Sequence, residues 1–588
     1  MGRKEWKNLN RGTIHDAVDA KSGGRADEFL NGTGKVYRVR NTAILSAWLK
    51  GYAAQNRPFT IVGDYDADGL NSTAAMILLL RELGATDVRY VIPYRPDGYG
   101  MSVKIVDEIA ATGRRGVLIT VDNGIKSYDA IEKAKAYGFV VLVTDHHEPG
   151  VENGKVVLPK ADLIVDPHVE DSLVAKDGEE TNFDGYCGCG LVYKTAQFLL
   201  PEGSPTLLKI ATFAAVATVA DVVPLVEDNR SIYKVGVQAM ADGCVTNGMA
   251  ALLRKTGGYV VNAGVLGFKI GPMENALGRV HPNDVGKVVD LLVSTDFISV
   301  CMQTVDEIAE VNEERKRLKS EATKRADEIV ESECLYGMNP IVVYDPETCE
   351  GVVGLVAGHV TEKYNVASVV LTDDPSDPNV LKGSCRAPDY VDVNAVLTAL
   401  NDAHPDYMVG FGGHKKAAGL KLRKEKLDDF IDAMQDLAGP ALPKTEVVEY
   451  DVEVKPEDLL SAIEEVSKYE PYGEGNPPVV VRVNDFEITP TSRGMYELLN
   501  GQEGPDTGVK FLGAKVGVVG FGLREEFEDE LRSPSELDMV GTLSYNVWNG
   551  KSSPQVEALD FKKTQAAKTP KSDLFGSMSA ALMQGGLM

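Results

Sequence analysis

The sequence is short of several things that would pin it to a simple class. Its seven cysteines, an odd number scattered between residues 187 and 385, show no paired metal spacing, which argues against a disulfide scaffold and fits a reducing compartment. Only Cys187 and Cys189 lie close together, and with no second pair nearby they read as packing residues rather than zinc ligands. No run of eighteen apolar residues occurs, and the opening MGRKEWKNLNRG lacks the apolar stretch of a secretory signal. Neither a membrane span nor export is expected, and the address reads as cytoplasmic. Positive charge is also scarce: 61 Lys and Arg stand against 87 Asp and Glu, a net −26. Taken alone, that balance argues against a phosphate-rich partner. The sign has to be read locally, however, because an acidic protein can carry a basic groove, and carboxylates that hold divalent cations reverse the potential at their own site.

What is present is length and pattern. At 588 residues the chain exceeds one hydrophobic core, so three to four domains are expected. Residues 59 to 166 alternate short β-branched runs (FTIVG, VRYVIP, GVLITVD, FVVLVTD, ADLIVD) with helical patterns, which predicts an α/β fold with a doubly wound parallel sheet. This domain, with its N-terminal extension, is placed at 1–300. A Gly- and Pro-free stretch of mixed charge follows and reads as one long, largely solvated connecting helix, at 301–336. A smaller α/β domain is placed at 337–440, ending at the GPALPK linker, and a strand-rich segment at 445–562 suggests a small barrel of the OB type. Residues 563–588 read as a disordered tail whose DLF and ALM clusters could serve as a partner-binding peptide.

The chemistry-bearing residues sit where strands are about to end, which is where an open α/β sheet places ligands. Asp64, Asp66 and Asp68 stand in IVGDYDADG, Asp122 in LITVDNG, His146 and His147 in LVTDHHEP, Asp166 in LIVDPH, and Asp221 in ATVADVVPL. Alternate residues of an extended loop point the same way, so the first carboxylates can converge on one cation. A calcium loop of the EF-hand type fails, because loop position 12 counted from Asp64 is Ala75 and not Glu. Oxygen donors with one or two imidazoles suit Mn²⁺ or Mg²⁺, and two such ions could serve hydrolysis of a phosphodiester.

DYDADG, VDNG, TDHH and TVADVVPL resemble the successive motifs of the DHH phosphoesterase superfamily, and within it the RecJ exonucleases. Further similar strings follow in family order, among them GYGMS, CGCGLVYK, NALGR, GVVGLVAGHVTEKY, GSCR, FGGHKKAAG and PYGEGNPP, so that the resemblance covers about residues 59 to 478. It implies that a DHH domain is followed by a DHH-associated domain and an OB-like domain. The metal ligands it implies are Asp66, Asp68, Asp122, His146 and Asp221, supplemented by Asp64, holding two divalent cations, Mn²⁺ or Mg²⁺. His147 and Asp122 would act in catalysis. Ser384 and Arg386, joined by Arg95, would hold a terminal 5′ phosphate, and Gly412, Gly413 and His414 would contact substrate phosphate. One departure stands out: family members often carry His before the glycine of the first motif, where Val62 stands here, which changes the ligands available to one metal.

The activity so implied is stepwise hydrolysis of single-stranded DNA, 5′ to 3′, to nucleoside 5′-monophosphates, in DNA repair, recombination or replication. Single-stranded DNA is then the expected partner of a monomer, and single-strand-binding or replication proteins could dock through the OB-like domain or the tail. Two other readings remain open at this point: a phosphodiesterase of short oligonucleotides or cyclic dinucleotides, and a replication scaffold without catalysis.

Overall fold

The computed structural model describes residues 4–32, 37–95, 98–152, 154–169, 173–175, 183–442, 447–488, 497–499, 508–512, 516–521, 523, 536–548 and 551–564. The β-branched runs after residue 58 form a five-stranded parallel sheet in the order Val88–Val91, Phe59–Val62, Val117–Val121, Val140–Thr144, Leu163–Val165. Every residue of the central strand VLITV is buried, as a strand covered by helices on both faces must be. Because the second strand lies on one side of the first and the third on the other, the chain reverses its winding between Phe59–Val62 and Val117–Val121. A crevice opens there at the carboxyl ends of the strands.

Two helices close the back of that crevice. Ala67–Glu82 starts directly after the first strand, and Pro205–Ala220 is buried continuously from Ile210 to Thr218, so that it is apolar all round and sits inside the core. The connecting helix, Ile298–Ser332, has 35 residues, about 52 Å at 1.5 Å per residue. Its Cys301, Val305 and Ile308 belong to the core of the first lobe, and its Ala322, Ala326 and Val330 to a core of the second. Between Ile308 and Ala322 only Asn312 is buried, which accounts for the solvated look of the sequence.

The second lobe is a five-stranded sheet in the order Ile341–Tyr344, Ser368–Asp374, Asp377–Arg386, Ala417–Arg423, Met408–His414, parallel at the first pair and antiparallel thereafter. In the third, seven strands run in the order Val452–Val454, Val480–Glu487, Glu536–Trp548, Lys551–Lys563, Gly517–Gly520, Val509–Leu512, Glu497–Leu498, with the helix Leu459–Ser467 packed into their core. The N-terminal segment, grouped with the first lobe on sequence grounds, packs here instead. Glu5–Asn8 pairs in parallel with Val447–Tyr450, and Ile14, Ala17, Val18, Ala26 and Phe29 enter the third core. Arg11 and Lys21 reach the buried Asp451 at 3.1 and 3.0 Å. A four-residue strand whose partner lies hundreds of residues away leaves no periodicity to read. The expected tail lies, from residue 565 on, outside the described residues. No helix among the described residues is long and apolar enough to cross a membrane.

Candidate active site

Sheet register sets the first encounter. Val62 pairs with Thr120 and Val121 with Thr144, so continuing past the strand ends brings Asp64 beside Asp122 and Asp122 beside Asp145. Asp122 adopts a φ of 62°, a costly conformation for a residue with a Cβ, and its N–H donates to the Thr144 carbonyl at 3.0 Å. Asp66 caps the helix Ala67–Glu82, accepting from the Gly69 N–H at 3.1 Å. Asp68 is held from across the crevice by the N–H groups of Gly188 and Cys189 at 2.6 and 2.8 Å, the first turn of the helix Gly188–Gln197. Only glycine fits at 188, since a Cβ there would stand 2.6 Å from that of Asp122. Asp221 ends the buried helix Pro205–Ala220.

These side chains meet. His146 Nε2 lies 3.0 Å from Asp122 Oδ1 and 3.6 Å from an oxygen of both Asp68 and Asp221. Ligand atoms of Asp64, Asp66 and Asp122 fall within 4.8 Å of one another, as do those of Asp68, His146 and Asp221, and those of Asp122, His146 and His147. Burial pushes the carboxyls of Asp64, Asp122 and Asp221 well above the usual range, and their acidic neighbours, Asp66 for the first and Asp68 for the other two, push them further. Burial also lowers the pKa of His146, leaving a neutral ring with a lone pair to offer. The buried Oδ1 atoms of Asp64 and Asp122 have no hydrogen-bond partner. Crowded carboxylates with orphaned oxygens and a neutral imidazole fit a divalent cation site and make a poor resting arrangement without one. Asp64, Asp66 and Asp122 could hold one ion and Asp68, His146 and Asp221 a second, with Asp122 adjoining both.

Val62, at the position where His is common, is fully buried and belongs to a core cluster with Met101, Val106 and Leu118, so it supplies no donor. His147 differs from His146. Its Nδ1 stands 2.7 Å from Asp145 Oδ1, and the Tyr99 hydroxyl lies 3.2 Å from its ring nitrogens. Burial works against its charge, but the hydrogen bond and charge of Asp145 outweigh it, and the pKa is raised to about 9. Asp145, the first letter of DHH and not among the candidates, is the anchor of this pair: it also accepts from the N–H groups of Ile125, His146 and His147. A carboxylate two residues before a histidine was the signal for it.

The opposite wall comes from the second lobe. A cleft of about 660 Å³ is lined by Asp64, Asp66, Arg95 and Arg279 on one side and by Gly354, Lys382, Ser384, Arg386 and Lys421 on the other. Arg386 donates to Ser384 Oγ and to the Cys385 carbonyl, each at 2.8 Å. Arg95 donates to the Gly278 carbonyl at 2.8 Å and lies over the Tyr65 ring, 3.9 Å from its centroid. Arg279, inside the NALGR string but not singled out from it, donates to the Gly351 carbonyl at 3.1 Å. Burial, then Arg95, Arg315 and Arg386, lowers its pKa to about 10. Among the described residues no carboxylate pairs within 4 Å with the Arg95, Arg279 or Arg386 side chains, while Asp64 and Asp66 act on Arg95 and Arg279 through charge at longer range.

Gly412, Gly413 and His414 lie on the hairpin beside this wall, though Gly410 and Gly419 are its glycines that line the cleft. Gly412 faces open space, whereas a Cβ at Gly413 would meet the Ala417 carbonyl at 2.3 Å, so the second glycine serves the strand pairing. The charge of His414 is disfavoured by burial, then by His147 and Lys126, which places this hairpin tip on the side of the metal cluster rather than of the arginines.

Fold and cluster together define a two-lobed phosphoesterase of the DHH type: the DHH family, N-terminal domain, matches residues 58–218, the DHHA1 domain 337–439 and the RecJ OB domain 450–560. The single-stranded-DNA-specific exonuclease RecJ of Dickeya dadantii is 32% identical over 467 residues, 77% of each chain. That of Bacillus subtilis is 31% identical over 521 residues, 87% of this chain and 62% of the relative. The chain belongs to the RecJ family. Its structure resembles RecJ of Thermus thermophilus solved with Mn²⁺, with a TM-score of 0.74 and 25% identity over 96% of this chain and 80% of that one, and the same protein has been solved with Mg²⁺.

Proposed function

We infer that this chain is a metal-dependent exonuclease that hydrolyses single-stranded DNA stepwise from the 5′ end and releases nucleoside 5′-monophosphates. The observation that carries the reading is the meeting of Asp64, Asp66, Asp68, Asp122, His146 and Asp221 in one crevice, beside a cleft that Arg95, Arg279 and Arg386 line. When bound, two divalent cations supply Lewis acidity toward a phosphate oxygen and toward an attacking water. The six side chains hold and space them.

The remaining work falls to residues around the cluster. Asp145, on the Nδ1 of His147, favours the charged form of that ring, which serves as a proton donor toward the scissile phosphate, with the Tyr99 hydroxyl against it. Arg386, Ser384, Arg95 and Arg279 form the pocket for the terminal phosphate; held there, a strand presents its first internucleotide linkage to the cluster. Polarity then follows from which end carries the phosphate. The full donor set speaks against the scaffold reading, and the third, OB-type domain against a short-oligonucleotide phosphodiesterase.

The deciding assay uses purified protein with Mn²⁺, Mg²⁺ or EDTA on strands labelled at either end, single or double. Expected is early release of 5′ label as mononucleotide from single strands, abolished by EDTA. Equal loss of both labels, or cleavage that survives chelation, would refute the reading.

A further inference from the structure

Behind Asp68 and Asp221 stands a group of buried polar side chains that the reaction itself does not use. Asp228, Asn229 and Arg230 lie in the first turn of the helix Glu227–Ala241, and none is more than 3% exposed. Asp228 accepts from Lys194 Nζ at 2.5 Å and from the Tyr186 hydroxyl at 2.7 Å. It thereby fastens from behind the helix Gly188–Gln197, whose first N–H groups hold Asp68. Asn229 Nδ2 donates to the carbonyls of Gly185 and Pro224 at 2.5 and 3.0 Å, and so joins the approach to that helix to the loop that leaves Asp221. Arg230 donates to the Tyr469 and Glu470 carbonyls of the third lobe at 3.2 and 2.7 Å and lies 4.3 Å from the ring centroid of Phe29.

The loop after Asp221 needs such a hold. Val222 has a φ of 57°, a costly conformation for a β-branched residue, and at 68% exposure it recovers little by packing. The third lobe grips the same loop: the Leu225 N–H donates to the Glu474 carbonyl at 2.8 Å, and a Cβ at Gly473 would stand 2.7 Å from Leu225. We propose that Asn229 is a positioning residue for Asp221 and that Arg230 makes the third lobe part of the same support, so that the seating of that lobe sets the affinity of the ion held by Asp68, His146 and Asp221. The proposal rests on the ion positions assigned above. A carboxylate beside a strained turn keeps its place only while the turn is held; once released, it has to be ordered again by the ion that binds it.

The test titrates Mn²⁺ into the metal-free full chain by calorimetry, with turnover of a 5′-phosphorylated single strand measured in parallel. Asn229→Ala should weaken one ion about 10- to 100-fold, leave the other within about twofold, and lower kcat in a way that excess Mn²⁺ restores. Asn229→Ser, which keeps a donor and is the milder cut, should lose the same ion to a smaller extent. In an Asp221→Asn background neither change should cost anything further, since both act on one ligand. Arg230→Met, and Gly473→Val from the other side of the contact, should weaken that same ion about threefold or more. Equal loss of both ions, or a full further loss in the Asp221→Asn background, would mean general loosening and overturn the positioning role. Unchanged Mn²⁺ binding in Arg230→Met and Gly473→Val would overturn the coupling to the third lobe. If Asp221→Asn alone leaves both ions in place, the ion assignment fails first, and the proposal with it.

Discussion

The two ends of the cleft, a carboxylate cluster and an arginine cluster, are electrostatic opposites, and each is incomplete in its own way. On the first lobe, carboxylates crowd until burial and mutual repulsion drive Asp64, Asp122 and Asp221 upward in pKa. At the other end, Arg386 of the second lobe and Arg95 and Arg279 of the first pair with no carboxylate within 4 Å among the described residues and settle for carbonyls, a hydroxyl and a ring. Left alone, both are unfavourable clusters of like charge. The difference teaches which ligand each waits for: a cation on one side and an anion on the other, with the linkage to be cut between them.

The comparison breaks most visibly at Asp122, which adjoins both candidate ion positions. Asp122→Asn should lower kcat about 10³-fold or more with Mn²⁺ present. In EDTA its melting temperature should equal or exceed that of the wild type, because one repelling charge is gone. Retained activity in metal-replete buffer would remove the assigned site. Arg386→Ala should cut kcat/KM on 5′-phosphorylated ends roughly 10- to 100-fold, the worth of a charged hydrogen-bonding pair, with a smaller loss on hydroxyl ends. If both end types slow alike, the anion pocket lies elsewhere.

Thermal melts sharpen the contrast further. Saturating Mn²⁺ at 100 times its Kd should stabilise the protein by about 2.7 kcal/mol. Asp122→Asn should blunt that shift and Arg386→Ala should leave it intact; equal blunting by both would show that the two ends are not independent. A fourth expectation concerns Glu274, buried behind the cluster where Asn71 donates to it at 2.7 Å, its pKa pushed to about 8 by burial. The folded state keeps this proton longer than the unfolded chain, whose glutamate ionises near 4.5. Its contribution to stability is thus complete below that pH and declines as pH rises toward about 8, by on the order of 1 kcal/mol per pH unit. Melts of the Mn²⁺-loaded protein should show this slope, and Glu274→Gln should flatten it. The smallest effect belongs between the lobes: Arg317, paired with Glu321 at 2.9 Å on the solvated middle of the connecting helix, should cost under about 0.5 kcal/mol when changed to alanine and leave turnover unaltered.

Much of this site was legible because strand ends announce themselves. The β-branched runs place Asp64, Asp122 and His146 one or two residues past a strand, and register brings them together. Asp221 was legible only as the end of an apolar stretch, and its place beside His146 depends on how a buried helix docks. Arg279 was missed because nothing local separates a cleft arginine from one on a solvated helix face. That Gly188 and Cys189 hold Asp68 was hidden as well, since the contact joins residues 120 and 121 positions apart. That the paired strand crowds Gly413 while Gly412 stands open likewise depends on which side of the hairpin each glycine faces.

The pairing of Glu5–Asn8 with Val447–Tyr450 also bears on biosynthesis. Lys7 and its partner Glu449 are 442 positions apart, so at about 5 to 20 residues per second the ribosome exposes that strand some 20 to 90 s before anything can zip onto it. Trp6 waits still longer, because Lys562 lies 4.2 Å from its ring centroid and Asp560 receives its indole N–H. A nascent chain with a lone, sticky edge invites wrong partners, and the charges of Glu5 and Lys7 in a strand of only four residues keep that edge unattractive until the far end of the polypeptide arrives.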